Sequence, residues 1–225
     1  MPVFFQQQIN ESTRLGIWKI EETEEFFKGN VPQHRSVTHP HKRVQHLAGR
    51  FLLQFLFPDF PYDLIQIADT RKPFLPDERY HFSISHCGDY AAAIVSRNKR
   101  VGVDVEIPTD KIMRIQDKFL SETEKEFAIG NKQWAIGNGQ SAIDNRQSAT
   151  GNIEAIRAST LLWSAKEAVF KWYGEGSVDF RQHIQLQSVN ENAETIHCFF
   201  AKTQSQLLIH YRQFDDLVLA WVIND

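Results

Sequence analysis

Twice along the chain, a helix with an apolar stripe stands among short strands whose residues alternate between apolar and polar, and this limits the fold more than any other feature. The first such helix covers 42–57, with Val44, Leu47, Ala48, Phe51, Leu52 and Phe55 at helical spacing, and Pro58 and Pro61 end it. Around it lie candidate strands at 15–20, 65–68, 80–85, 90–96 and 101–107, the third and fourth joined across Ser85-His86-Cys87-Gly88-Asp89. The second helix covers 158–173, stopped by Gly174-Glu175-Gly176, and strands at 195–201, 206–213 and 217–223 follow it. A helix packed on an antiparallel sheet, repeated, predicts an α+β protein of two similar lobes.

Composition is compatible with that. The chain has 225 residues, enough for one sizeable domain or two lobes. It is 42% hydrophobic and 24% charged, so it can bury a core. Two cysteines, Cys87 and Cys198, are too few for a disulfide framework or, alone, a zinc site. The first residues lack the basic and apolar regions of a signal peptide, and no run reaches the ~18 apolar residues that span a bilayer. The expectation is a cytoplasmic protein without a membrane partner.

A net charge of −3 argues against a generic nucleic-acid binder, yet the average hides an asymmetry. Between Glu25 and Asp59 there is no acidic residue, whereas Lys28, Arg35, Lys42, Arg43 and Arg50 are basic, with His34, His39, His41 and His46 among them. This stretch reads either as a solvated helix face or as a seat for an anionic small molecule.

Ser121-Glu122-Thr123-Glu124 is a capping-box pattern and predicts a helix start. Beyond it, Ala128-Ile129-Gly130-Asn131-Lys132-Gln133-Trp134 is echoed by Ala135-Ile136-Gly137-Asn138-Gly139-Gln140-Ser141 and again by Ala142-Ile143-Asp144-Asn145-Arg146-Gln147-Ser148. Gly-Asn falls where a coiled coil needs helix formers, so 128–152 reads as a duplicated low-complexity insertion.

Three segments carry side chains able to do chemistry. In Val101-Gly102-Val103-Asp104-Val105-Glu106, alternation turns the valines to a core and puts Asp104 and Glu106 on the opposite face. That is either a seat for a hard cation or an ordinary half-exposed strand. In Trp163-Ser164-Ala165-Lys166-Glu167-Ala168-Val169-Phe170-Lys171, Glu167 and Lys171 stand one helical turn apart. They form either a surface ion pair or a base or metal ligand beside a phosphate contact. Phe82-Ser83-Ile84-Ser85-His86 ends a strand on a histidine, and Arg71-Lys72-Pro73 adds two cations.

Taken in order, Arg71-Lys72-Pro73, Phe82-Ser83-Ile84-Ser85-His86, Gly102-Val103-Asp104-Val105-Glu106 and the Trp163–Lys171 segment give the chain a resemblance to the 4′-phosphopantetheinyl transferase superfamily, in its two-lobed surfactin-synthetase-activating type. The resemblance implies two pseudo-symmetric α+β lobes, each a small antiparallel sheet with a packed long helix, at 1–100 and 101–225. It implies an enzyme that moves the 4′-phosphopantetheine arm of coenzyme A to a serine hydroxyl of an apo acyl or peptidyl carrier protein, releasing adenosine 3′,5′-bisphosphate. By the same similarity Asp104, Glu106 and Glu167 are carboxylates for Mg²⁺ (or Mn²⁺), and Glu167 is the general base. Lys171 contacts the phosphate under attack. Lys72, Ser85 and His86 hold the coenzyme phosphates, Arg43 and Arg50 are candidates for the 3′-phosphate, and Pro73 shapes the nucleotide-side wall. His86 and Lys171 neutralise charge without covalent catalysis.

Cys87 stands where the family commonly has serine, Gln45 falls where a phosphate-binding arginine or an acidic residue is expected, and the 128–152 insertion lies near the carrier-docking region. The expected partners are the carrier protein and coenzyme A, with no nucleic acid, and the expected state is a monomer. The alternative is a catalytically degraded member of the fold that binds coenzyme A or a carrier without transfer. No P-loop or Gly-x-Gly-x-x-Gly fingerprint supports another nucleotide enzyme.

Overall fold

The computed structural model describes residues 3–32, 36–128 and 149–224. Most of the stretch that repeats with a period of seven residues, together with His34 and Arg35, therefore lies outside the described residues. The chain divides into two compact units. The first comprises Met1–Val105, Phe170–Gly176 and Ile223–Asp225, and the second Glu106–Val169 and Ser177–Val222.

The first unit opens with the hairpin β1 (Val3–Asn10) and β2 (Thr13–Lys19). Helix α1 (Glu24–Asn30) starts at Thr23, whose hydroxyl accepts from Phe26 N, with Glu24 and Glu25 at its positive end. The long helix α2 (Pro40–Leu56) has Pro40 in its first turn, where no amide donor is needed. Strands β3 (Gln66–Ile67) and β4 (Pro73–Phe74) make a small ladder, and β5 (His81–Cys87), β6 (Tyr90–Ser96) and β7 (Arg100–Glu106) follow. The sheet order is β1-β2-β6-β5, antiparallel throughout.

Central β6 is buried along its whole length. Ala91 and Ala93 join Leu47, Ala48, Leu52, Leu53 and Leu56 of α2 in one core, the small side chains letting helix and sheet approach. Each buried leucine contributes about 1.5–3 kcal/mol. Gly49 marks the close approach, because a β-carbon there would lie 2.5 Å from Ile84 Cγ2.

In the second unit α3 (Lys111–Ile115) and α4 (Glu122–Ala128) precede α5 (Ala149–Tyr173), of which residues beyond Val169 belong to the first unit. Strands β8 (Ile184–Asn190), β9 (Thr195–Phe200), β10 (Ser205–Gln213) and β11 (Val218–Asn224) pair in succession, each antiparallel to the next. The predicted α5 stripe holds, since Leu161, Leu162, Ala165, Ala168, Val169 and Trp172 are all buried. The capping box forms as well: Glu124 N donates to Ser121 Oγ at 3.3 Å and Ser121 N to Glu124 Oε2 at 2.7 Å.

The α+β architecture matches the sequence reading, with local differences. β1, α1, α3 and β8 had no counterpart in that reading, and α5 begins well before 158. The expected division at residue 100 and the observed one after Val105 both fall within β7. That strand departs from a half-exposed pattern, because Gly102 and Asp104 are buried along with the valines. Among the described residues no helix is long and apolar enough to cross a membrane.

Candidate active site

Strand alternation in β5 puts Ser83 and Ser85 on one side, and both are buried although polar. Ser83 Oγ accepts from Val103 N at 3.1 Å, fixing β7 beside β5. One step further along both strands, Ser85 Oγ donates to Asp104 Oδ1 at 2.8 Å. The last turns of α5 bring Lys171, whose Nζ donates to the same Oδ1 at 2.7 Å and to Ser85 Oγ at 2.8 Å. Lys171 therefore turns to Asp104, an ion pair that the i, i+4 spacing with Glu167 does not announce. All of these residues lie in the first unit.

Asp104 is only 2% exposed, so its charge needs compensation within the protein. Its Oδ1 has two donors, whereas Oδ2 is buried with no hydrogen-bond partner among the described residues. A buried carboxylate oxygen of that kind fits a hard cation. Among the described residues, no group of three or more His, Cys, Asp and Glu side chains stands in a metal-holding arrangement.

His86, at the exposed end of β5, feels the same cluster. Crowding by protein atoms and then the Lys171 charge hold its pKa below the ordinary histidine value, against the opposing pull of Asp104. Its imidazole is thus biased toward the neutral form.

A cavity of about 230 Å³ adjoins the cluster, lined by Arg71, Lys72, Pro73, Ile84, Phe170 and Lys171 among others. A second, of about 250 Å³, shares Lys72 and Pro73 and reaches His81, Arg100 and Tyr173. Lys72 Nζ donates to Trp172 O at 3.2 Å, and burial, then Arg100, pulls its pKa from 10.5 down to about 8. Gly174 makes room for that side chain. It adopts φ +74°, and a β-carbon on it would strike Lys72.

The basic stretch is not one positive face. Arg43 grips Glu24 with two bonds, Nε–Oε1 at 2.7 Å and Nη2–Oε2 at 2.8 Å, and Lys28 also pairs with Glu24. Arg50 is 1% exposed inside α2, its Nε donating to His46 Nε2 at 3.1 Å, while Nη1 has no partner among the described residues. Gln45 is buried, and its Nε2 donates to Gly88 O at 2.6 Å. His41 pairs with Asp89 rather than with the neighbouring histidines.

In the second unit, Glu106 and Glu167 are half-buried. Trp163 Nε1 donates to Glu106 Oε1 at 3.3 Å, and its ring contacts those of Phe119 and Phe180. Lys166, the residue before Glu167, is sealed and donates at 2.8 Å to Glu124 Oε2, Phe180 O and Ile184 O. Sequence reasoning missed the roles of Trp163, Glu24 and Thr70, whose hydroxyl donates to Gly174 O at 2.9 Å. A tryptophan opening the motif that holds Glu167 was the available signal for the first. Nothing local pointed to the other two.

This fold, with Ser85, Asp104 and Lys171 drawn together, is that of a phosphopantetheinyl-transferase-like protein, and comparison with known families agrees. The profile of the 4′-phosphopantetheinyl transferase superfamily matches residues 100–222, more than half of the chain, which therefore belongs to that superfamily. Individual relatives include enterobactin synthase component D of Salmonella austin, 33% identical over 134 residues, covering 60% of this chain and 49% of the relative. The protein of that name from Escherichia coli (strain K12) is 33% identical over 88 residues, covering 38% and 42%. That from Salmonella typhi is 39% identical over 66 residues, covering 29% and 27%. The chain thus spans about half, or less, of the length of the curated relatives it matches.

Proposed function

We propose that the protein transfers the 4′-phosphopantetheine arm of coenzyme A to a serine hydroxyl of an apo carrier protein. The observation that supports this best is the convergence of Lys171 and Ser85 on buried Asp104 beside the cavity lined by Lys72 and Pro73. Membership of the superfamily supplies the reaction class. The relatives named as enterobactin synthase component D favour a carrier of the nonribosomal-peptide type, with fatty-acid and polyketide carriers as the other candidates.

In this reading the serine oxygen bonds to the β-phosphorus of coenzyme A while the bond from that phosphorus to its bridging oxygen breaks. Adenosine 3′,5′-bisphosphate leaves. Glu167 takes the serine proton, because a hydroxyl is a poor nucleophile until a base accepts it. Lys171 and His86 face the non-bridging oxygens and stabilise the charge that spreads there. Lys72 and Ser85 hold the diphosphate, with Pro73 shaping the wall. For the 3′-phosphate, Arg43 would exchange Glu24 for the ligand, whereas Arg50, at 1% exposure, would have to be uncovered before it could reach one. By the resemblance, Asp104, Glu106 and Glu167 would hold Mg²⁺ or Mn²⁺; the buried Oδ2 of Asp104 fits that role, while the three carboxylates do not stand as a ready ligand set among the described residues. Such an ion supplies positive charge to the phosphate oxygens. We further propose a cytoplasmic monomer with lobes at 1–100 and 101–225.

The test is incubation with coenzyme A, Mg²⁺ and several apo carrier proteins, followed by mass spectrometry. The expected result is the added mass of the arm on a carrier serine. Folded protein that binds coenzyme A and modifies none of the carriers would reduce this chain to a binding member of the superfamily.

A further inference from the structure

Lys171 has a position that its role as a phosphate contact does not require. Its ammonium rests on the oxygen of a buried carboxylate, 2.7 Å from Asp104 Oδ1, and a second bond to Ser85 Oγ at 2.8 Å keeps it there. Ser85 Oγ also donates to that oxygen, so the three groups close a triangle. Asp104 is almost entirely shielded from water, which makes its charge strongly felt and poorly screened. A single buried carboxylate satisfied by one ammonium gains little from a second cation, because the two cations repel across the same few ångströms.

We propose that Lys171 is an internal competitor for the cation at Asp104. Its ammonium lowers the affinity of the carboxylate for a divalent ion, and an anionic phosphate that draws Nζ away restores that affinity. Ion binding at Asp104 is thereby linked to arrival of the phosphate ligand, with Lys171 as the moving charge. The sign is what separates this from the simpler view in which Lys171 only steadies Asp104. A steadying lysine strengthens the cation site, whereas a competing one weakens it. The inference rests on the transferase reading for the identity of the phosphate and the ion, and on the geometry alone for the competition.

The experiment measures Mn²⁺ binding to the full chain without coenzyme, from the electron paramagnetic resonance signal of free Mn²⁺. Lys171→Met should bind Mn²⁺ about tenfold or more tightly than the parent, as expected for removal of a like charge beside a poorly screened site. Lys171→Arg, which keeps the charge, should stay near the parent. Adding Asp104→Asn to Lys171→Met should abolish the gain. Lys171→Gln serves equally if the methionine variant does not fold. Unchanged or weaker binding by a folded neutral variant overturns the proposal, and so does a gain that survives Asp104→Asn. A protein that modifies a carrier but shows no tightening keeps the transferase reading and loses the competition. One that tightens but modifies no carrier does the reverse.

Discussion

Lys166 Nζ lies 2.8 Å from Glu124 Oε2, and neither side chain is exposed by more than 3%. Both are saturated. Lys166 spends its other donors on Phe180 O and Ile184 O, and Glu124 accepts from Ser121 N and Leu186 N. One pair thus ties α4, α5, β8 and the segment before β8 together. Lys166→Met should cost about 3–5 kcal/mol by leaving a buried carboxylate unpaired, while the double variant Lys166→Met/Glu124→Leu recovers part of it. Urea denaturation measures this, and a single-variant loss below about 1 kcal/mol, the level of a surface pair, would contradict it.

Gly174 holds a left-handed backbone against Lys72. Gly174→Ala should lose about 1–2 kcal/mol of stability from the backbone alone. It should also weaken coenzyme A binding, because Lys72 must leave Trp172 O to admit the methyl group. Calorimetric titration reads the second effect, and unchanged affinity would remove Lys72 from the coenzyme contacts.

Glu24 titrates far below its ordinary range. Hydrogen bonds from Arg43 and then Lys28 bring its pKa from 4.5 to about 2. A depressed carboxylate contributes stability that is complete above pH 4.5 and disappears as the pH falls toward 2. Glu24→Gln should therefore flatten the decline in melting temperature across that window and leave a lower plateau near neutrality. Parallel acid profiles for the two proteins would show that the pair does not carry the effect.

The sequence displayed some of this and concealed the rest for physical reasons. β6 and the start of α4 were legible because their signals are local: an apolar run between Gly88-Asp89 and Arg97-Asn98, and a box closed by Ser121 and Glu124. β1 was not, because Gln6 and Gln8 face outward and the strand exists through its pairing with β2. Asp104 could be picked out as a candidate ligand, yet alternation placed it on a half-open face when Ser85 and Lys171 enclose it. Arg43 and Arg50 were visible as charge only. A charge count does not reveal that Glu24 occupies one and that the other lies inside a helix–sheet core.

Glu167→Gln separates base from binder. Transfer should fall about 10²–10⁴-fold, the usual contribution of a general base, with coenzyme A affinity largely kept. A variant of near-parental rate would exclude Glu167 as the proton acceptor.

In the proposed reading, in which Lys72 holds the coenzyme diphosphate, it gives the pH dependence of that binding a definite sign. With its pKa brought to about 8, chiefly by burial, it loses its charge as the pH rises through that value, well below an ordinary lysine. The dissociation constant for coenzyme A should therefore rise above pH 8, and Lys72→Arg should abolish the rise. A flat profile from pH 7 to about 9.5, still short of where an unperturbed lysine titrates, would count against a role for this amine.

Trp163 donates to Glu106 Oε1 while its ring touches two phenylalanine rings. The group that steadies this carboxylate is also a fluorophore, and indole emission responds to the charge beside its N–H. Ions or ligands that capture Glu106 will change the colour and intensity of that light, and Trp163→Phe will silence the change. The protein carries its own optical gauge of one candidate metal ligand, readable without any added label.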